Sequence, residues 1–284
     1  MRDAIKKSDV LIEALPYIKK FFEKTIVIKY GGSSVDGKGI DKKILEDIIF
    51  MNYAGMRPIL IHGGGPFISR MMKKAGLSPK FIQGRRVTDS QTVHIIDRAL
   101  HIINRTIVKT LSLMGAKAFG LSGKENNLIR VKRMRSGPDL GYVGEVTSVD
   151  TTVVKRLIED NIIPVIYPIG IGRDGNLYNV NADDVASEIA VALKAEKFVL
   201  LTNVRGVMRD KNVLGTLYHT LRAGDVTRLI KNRIIDSGMI PKAEACVNAI
   251  KGGVKKSHIL DAGIPHALLL EMFTDKGIGT EIVK

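Results

Sequence analysis

Two apolar runs of six residues, TIVIKY (25–30) and RPILIH (57–62), pass straight into glycines, GGSS (31–34) and GGGP (63–66). A short buried strand, a glycine turn and then helical spacing make a βα unit. Repeated βα units fold into a largely parallel sheet covered by helices. Three further runs extend the pattern: NIIPVIYPI (161–169), KFVLLT (197–202) and SHILDA (257–262). Between them IDKKILEDIIFMNYAG (40–55), GPFISRMMKKAG (65–76) and SQTVHIIDRALHIINRTIVKTLSLMG (90–115) place apolar residues at helical intervals and end on glycine. NADDVASEIAVALKAE (181–196) is another helix, with Asn181 or Asp183 placed to cap it.

The glycines also carry a chemical implication. Inside a regular element each costs about 0.5–1 kcal/mol against alanine, so three in a row imply that something must approach the bare backbone. Free N–H groups at a helix N-terminus form an anion site without any side chain, and Pro66 suits a first helical turn. Two such loops on neighbouring strands would face one ligand at the C-terminal edge of the sheet.

Other glycine motifs fail on context. GIGRDG (170–175) fits a dinucleotide fingerprint, but NLYNVN follows and cannot open a helix; Asp174-Gly175 is a hairpin turn signal instead. HGGG (62–65) as an oxyanion hole needs a G-x-S-x-G elbow, and GLSGK (120–124) does not supply one. The chain has no G-x-x-x-x-G-K-[ST] loop.

Among the 284 residues, 45% are apolar, and no apolar run approaches the roughly 20 residues of a membrane span. The net charge of +15 calls for anionic company, nucleic acid or a small phosphorylated or carboxylated ligand. The cations are spread along the chain and only 5% of residues are aromatic. The densest cluster, RVKRMR (130–135), reads as one solvated strand or hairpin face. A single cysteine, Cys246, excludes an intrachain disulfide and a Cys-based zinc site, and reads as a small core residue in a reducing cytoplasm. The six histidines show no metal-ligand spacing.

The first 23 residues stand apart. They carry Asp3, Asp9 and Glu13 and no small-residue cleavage site, unlike a signal or transit peptide. Ser8 is expected to cap a helix with a Leu11, Ile12 and Leu15 stripe, kinked at Pro16 before Ile18, Phe21 and Phe22. That surface is too apolar for a free tail and must dock. Neither a repeat nor a low-complexity linker is present; the best boundary falls near GIGRDGNLY (170–178).

The segments IKYGGS, IHGGGP, GRRVTD, GKENNLI, GYVGEV, NVNADDVASEIA, GMIPK and EMFTDKGIGT together resemble the N-acetylglutamate kinase branch of the amino acid kinase family, nearly end to end. The resemblance implies an open three-layer αβα sandwich with a mostly parallel central sheet. It implies three parts: an oligomerisation helix (1–23), an acetylglutamate-binding lobe (24–176) and a lobe for ATP and arginine sensing (177–284). The implied reaction moves the γ-phosphoryl of ATP, with Mg²⁺ held largely by its phosphates, onto the side-chain carboxylate of N-acetyl-L-glutamate. Neither nucleic acid nor a membrane is an expected partner.

A lysine closing an apolar strand is an odd core residue, and the resemblance makes Lys29 a stabiliser of the migrating phosphoryl. Lys242 matches the second lysine, on the ATP side, and Asp183 the acid orienting both. Gly31 and Gly32 match phosphoryl-binding positions; Gly64 and Gly65 would give N–H donors to the acceptor. Arg86 matches the arginine that holds a substrate carboxylate, with Arg85 as its solvated neighbour, and Asn179 the amide that binds the acetylated amino acid. Thr202, Asn203, Gly206, Val207 and Met239 match the nucleotide site. There the chain reads LTNVRGV where the family usually reads LTDVDGV: Asn203 and Arg205 replace two acids, a change expected to alter nucleotide affinity or base preference.

Likeness to the arginine-inhibited branch further implies a homohexamer and an L-arginine site using Tyr17, Glu271 and Gly277, Glu271 being otherwise a surface acid. Two alternatives stay open: a kinase for a carrier-linked aminoadipate or glutamate acceptor, and a non-catalytic arginine-sensing protein.

Overall fold

The structure, a computed structural model, describes residues 1–31, 41–135, 137–210, 213–236, 238–274 and 277–284. Helix α1 (Arg2–Phe21) leads into β1 (Thr25–Tyr30), α2 (Lys42–Tyr53), β2 (Arg57–His62) and α3 (Gly65–Lys74). A small hairpin of β3 (Phe81–Ile82) and β4 (Arg85–Arg86) precedes α4 (Ser90–Leu113) and β5 (Ala118–Ser122). Next come β6 (Ile129–Arg133), β7 (Gly144–Val149), α5 (Thr152–Glu159), β8 (Ile163–Tyr167), β9 (Ile169–Gly172), β10 (Leu177–Asn179) and α6 (Ala182–Ala192). The remainder is β11 (Lys197–Thr202), β12 (Thr220–Arg222), α7 (Ala223–Lys231), α8 (Ile240–Lys251), β13 (Lys256–Asp261), α9 (Ala267–Met272) and β14 (Thr280–Val283).

Eight strands form the central sheet in the order β12-β14-β13-β11-β1-β2-β8-β5. Its neighbours run parallel except β13 with β14. All five strands expected from the apolar runs lie in it. Side chains alternate between faces along a strand, so Ile26, Ile28 and Tyr30 enter the core under α2, α4 and α9. Val27 enters the opposite core under α5, α6, α7 and α8. The result is the expected αβα sandwich. A second sheet, β10-β9-β6-β7, extends from it. The Asp174-Gly175 turn closes the β9–β10 hairpin, with Gly175 at φ 76°, and in RVKRMR Val131 and Met134 are buried while Lys132 and Arg133 are exposed.

Glycine ends three of the expected helices for one shared reason. Gly55, Gly76 and Gly115 adopt φ of 82°, 75° and 91°, each one residue past the helix cap. The N–H groups of the following residues, Met56, Leu77 and Ala116, then reach back to the carbonyls of Met51, Met72 and Leu111. Each is the 6→1 bond that satisfies a helix's last orphan carbonyls.

The expected Ser8 cap does not form. The helix begins at Arg2, with Met1 at its cap position, because residues 2–7 contain nothing that stops a helix. The same helix runs on through Pro16. Phe21 is buried and Phe22 lies across Gly55, yet Leu11, Ile12 and Leu15 stay 68%, 68% and 41% exposed. Among the described residues no helix is long and apolar enough to cross a membrane.

Leu60 is fully buried on β2, between β1 and β8. Leu60→Ala should lower the unfolding free energy by about 2–5 kcal/mol. Urea denaturation checks this; a loss under about 1 kcal/mol would mean the core here can collapse around the missing atoms.

Candidate active site

Lys29 is the fifth residue of β1 and shares the Val27 face, under α6. Its ammonium lies 2.8 Å from Asp183 Oδ1, and both side chains are below 10% exposed. Asp183 stands in the first turn of α6, whose N-cap is Asn181: the Asn181 side chain accepts from the Asp183 N–H at 2.7 Å. Lys242, in the first turn of α8, donates to Asp183 Oδ2 at 3.2 Å. Burial alone would push the Asp183 carboxyl up; Lys29 and Lys242 outweigh it and hold the group below the ordinary aspartate range.

The two glycine loops meet beside this triad. A Cβ on Gly31 would lie 2.6 Å from Lys29 Nζ and 3.7 Å from Gly63 N, so the lysine folds over its own loop. Gly32 lies outside the described residues. Gly64 is the N-cap of α3, with Pro66 in the first turn, and a Cβ there would strike Ile103. A Cβ on Gly65 would meet nothing within 4 Å. Gly63–Gly65 line a cavity of about 190 Å³ together with Phe81, Arg86, Asn179 and Asn181.

Arg86 is 7% exposed. Its Nη2 donates to the Gly65 carbonyl at 3.1 Å and to Ser69 Oγ at 2.9 Å, and its guanidinium lies 4.6 Å from the Phe81 ring centre. Among the described residues no carboxylate pairs with it. A buried guanidinium that is hydrogen-bonded but not neutralised leaves a positive charge on the cavity wall. Asn179, ending β10, donates from Nδ2 to Thr88 Oγ1 at 3.3 Å. Arg85 is not the solvated neighbour expected: it pairs with Asp184 at 3.2 Å and ties β4 to α6.

A second cavity, of about 660 Å³, is lined by Asn203, Arg205, Gly206, Val207 and Met239. Thr202 does not line it: its hydroxyl accepts from the Val204 N–H and donates to the Val204 carbonyl, both at 3.0 Å, and so holds the turn. Arg209, Arg233, Asp236 and Asp261 also line this cavity and escaped the sequence reading. The sequence hides them, because Val226, Ile230 and Ile234 keep one helical spacing through NRIID (232–236). Among the described residues no group of three His, Cys, Asp or Glu side chains is placed to hold a metal.

The remaining expected residues lie elsewhere. Tyr17 lines a cavity of about 590 Å³ between α1 and Phe273. Glu271 is not a surface acid: it is 8% exposed, 2.8 Å from His258 Nδ1, and accepts from the Ile278 N–H at 3.0 Å. Burial raises its carboxyl, but His258, the Ile278 N–H and Lys197 prevail and lower it. Gly277, at φ 59°, packs against the Glu271 carboxylate. His258 and Lys197, both buried, were missed because each reads as an ordinary strand residue.

Two lysines thus share one buried acid beside a glycine-lined cavity at the C-terminal end of β1. The chain belongs to the amino acid kinase family, whose model matches residues 24–261. It is similar to the acetylglutamate kinases of Desulforamulus reducens, at 45% identity over 100% of this chain and 99% of the relative, and of Pelotomaculum thermopropionicum, at 46% over 98% of each. Among solved structures it resembles the N-acetylglutamate synthase of Neisseria gonorrhoeae complexed with coenzyme A and L-arginine (TM-score 0.84, 28% identity), covering 98% of this chain and 65% of the synthase. Carbamate kinase of Giardia lamblia, at 16% identity and TM-score 0.66 over 92% of this chain, shares the fold.

Asp183 has a depressed folded pKa, so its contribution to stability is full above the unfolded value of about 3.9 and is lost as pH falls through the lower folded value. Urea denaturation from neutral pH into this acid range should therefore show a steeper loss for the wild type than for Asp183→Asn. Parallel curves would mean that the pair does not hold the carboxylate ionised.

Proposed function

We propose that this protein transfers the γ-phosphoryl of ATP to the side-chain carboxylate of N-acetyl-L-glutamate, giving N-acetyl-L-glutamyl 5-phosphate and ADP in arginine biosynthesis. The observation that carries the reading is the convergence of Lys29 and Lys242 on Asp183. Lys29 adjoins the Gly63–Gly65 cavity, and Lys242 follows Met239 of the second cavity by three residues. A carboxylate oxygen attacks phosphorus while the bond to the ADP oxygen breaks. Charge spreads over the phosphoryl oxygens, and two fixed ammonium groups stabilise it there.

Arg86 and Asn179 hold the acceptor, Gly64 and Gly65 donate N–H groups to it, and Gly31 with Gly32 receives the phosphoryl. Asn203, Gly206, Val207 and Met239 hold ATP, which enters as its Mg²⁺ complex with the ion on the phosphates. The acceptor lobe is 24–176 and the nucleotide lobe 177–284, joined within the β9–β10 hairpin. A cytoplasmic setting suits the lone, buried thiol of Cys246.

An ADP-release assay with N-acetylglutamate, glutamate and aspartate tests the reading. Turnover only with N-acetylglutamate is expected; turnover with none would leave an arginine-sensing protein, and preference for another acceptor a different kinase. Lys29→Ala and Lys242→Ala should each lower kcat about 10²-fold or more. Arg86→Lys should raise the KM for N-acetylglutamate about tenfold, because lysine cannot make the forked contact, and leave the KM for ATP nearly unchanged.

We further propose homohexamers inhibited by L-arginine. The exposed Leu11–Ile12–Leu15 stripe of α1 supports pairing with a second copy. The Tyr17 ring lies 6.0 Å from Phe273, two residues after Glu271, so α1 docks on the segment that carries Glu271 and Gly277. Arginine bound there would bias the arrangement of the lobes. Deleting residues 1–23 should leave active dimers that ignore arginine, measured by sedimentation and inhibition. A full-length dimer, or a truncation that is still inhibited, would refute this.

A further inference from the structure

His62 ends β2, is completely buried and takes no part in the chemistry above. Its Nδ1 lies 3.0 Å from the carbonyl oxygen of Gly63. Its Nε2 lies 3.2 Å from Asn104 Nδ2, and that amide nitrogen also donates to the Val165 carbonyl at 2.8 Å. The Val165 carbonyl can only accept, so it fixes the Asn104 amide with its nitrogen toward His62. An NH₂ facing Nε2 makes Nε2 an acceptor. The ring proton is then on Nδ1, where it donates to Gly63. Gly120 on β5 makes room for the device: a Cβ there would occupy the place of Asn104 Oδ1. Burial pushes the His62 imidazole down to about 4, which keeps it neutral and leaves the choice of tautomer to its two partners.

Both polar groups of Gly63 are therefore turned inward, its N–H to the Tyr30 carbonyl at 3.0 Å and its carbonyl to His62. In a planar trans peptide the next N–H points opposite to the carbonyl. The Gly64 N–H thus faces away from His62, toward the cavity that Gly63–Gly65 line. Among the described residues no backbone hydrogen bond consumes it. We infer that His62 is a positioning residue: through the Gly63 carbonyl it aims the Gly64 N–H at the acceptor's reacting carboxylate, and Asn104 sets the tautomer that lets it do so. This rests on the acceptor reading proposed above.

The test compares three variants by ADP release. In His62→Asn the side-chain NH₂ stands where Nδ1 stood and still donates to Gly63. In His62→Gln the amide reaches only the Nε2 position, and His62→Leu does neither. His62→Gln and His62→Leu should lose about tenfold or more in kcat/KM for N-acetylglutamate, the worth of one aimed hydrogen bond, with the KM for ATP within about twofold of wild type. His62→Asn should recover most of the loss. A role in core packing alone predicts equal damage in Asn and Gln and no acceptor selectivity; that pattern would overturn the inference. Neutron diffraction from wild-type crystals decides the geometry independently of any variant: hydrogen on Nδ1 supports it, and hydrogen on Nε2 alone refutes it. A wild type that does not turn over N-acetylglutamate would sink the proposed function, and the neutron density would still decide how Gly63 is held. Wild-type turnover with undamaged Gln and Leu variants would sink only the role of His62.

Discussion

A carboxylate buried among hydrocarbon is tolerated only if charge and hydrogen bonds replace the water it lost. Asp183 is 4% exposed, and the replacement comes from three elements at once. Lys29 arrives from β1, Lys242 from the first turn of α8, and the Asp183 carboxylate itself stands in the first turn of α6, where a helix favours negative charge. Removing either lysine would leave an under-compensated buried charge, so the junction between β1, α6 and α8 depends on the residues proposed for phosphoryl transfer. The lysines are immobilised by the same contacts, which is the condition for electrostatic stabilisation without reorganisation during reaction.

Around that junction the glycines divide into two kinds. Gly31 and Gly64 are glycine because the protein itself needs the space, for the Lys29 ammonium and for Ile103. Gly65 is different: a side chain there would meet nothing within 4 Å, and the open space is the cavity. The row of three that a folding argument alone would disfavour is thus part packing and part vacancy beside a helix N-terminus. The carbonyls of the loop are occupied, Gly63 by His62 and Gly65 by Arg86. Among the described residues no backbone hydrogen bond consumes the Gly64 N–H, which is a donor left over beside the cavity.

The strands were legible because parallel strands buried on both faces read as unbroken apolar runs, and the helices because their glycine stops coincide with their periodicity. Lys29 was legible for the opposite reason, as a charge where the run demanded hydrocarbon. Resemblance supplied Lys242 and Asp183, which lie 59 residues apart and meet only in the fold. Local reading failed where a residue's meaning comes from a distant partner. Ser8 suits a cap, but nothing before it stops the helix. Glu271 looks like a surface acid until His258 on β13 and the Ile278 N–H bury it.

The surplus positive charge has a place in this arrangement. Several cations of the fold stand beside a carboxylate, as Arg85 beside Asp184, Lys124 beside Asp97 or Lys255 beside Glu196. Arg86 in the first cavity has no such partner among the described residues, nor do Arg205 and Arg233 in the second. Unneutralised guanidinium groups on a cavity wall raise the local concentration of anions and lower the cost of bringing two of them together. A carboxylate acceptor and a nucleotide triphosphate repel each other in water. A site that must hold both needs its cations unpaired until they arrive. On the proposed assignment of the second cavity to ATP, Asn203 and Arg205 move it further in that direction, standing where the resembled family usually carries acids that would compete with the phosphates.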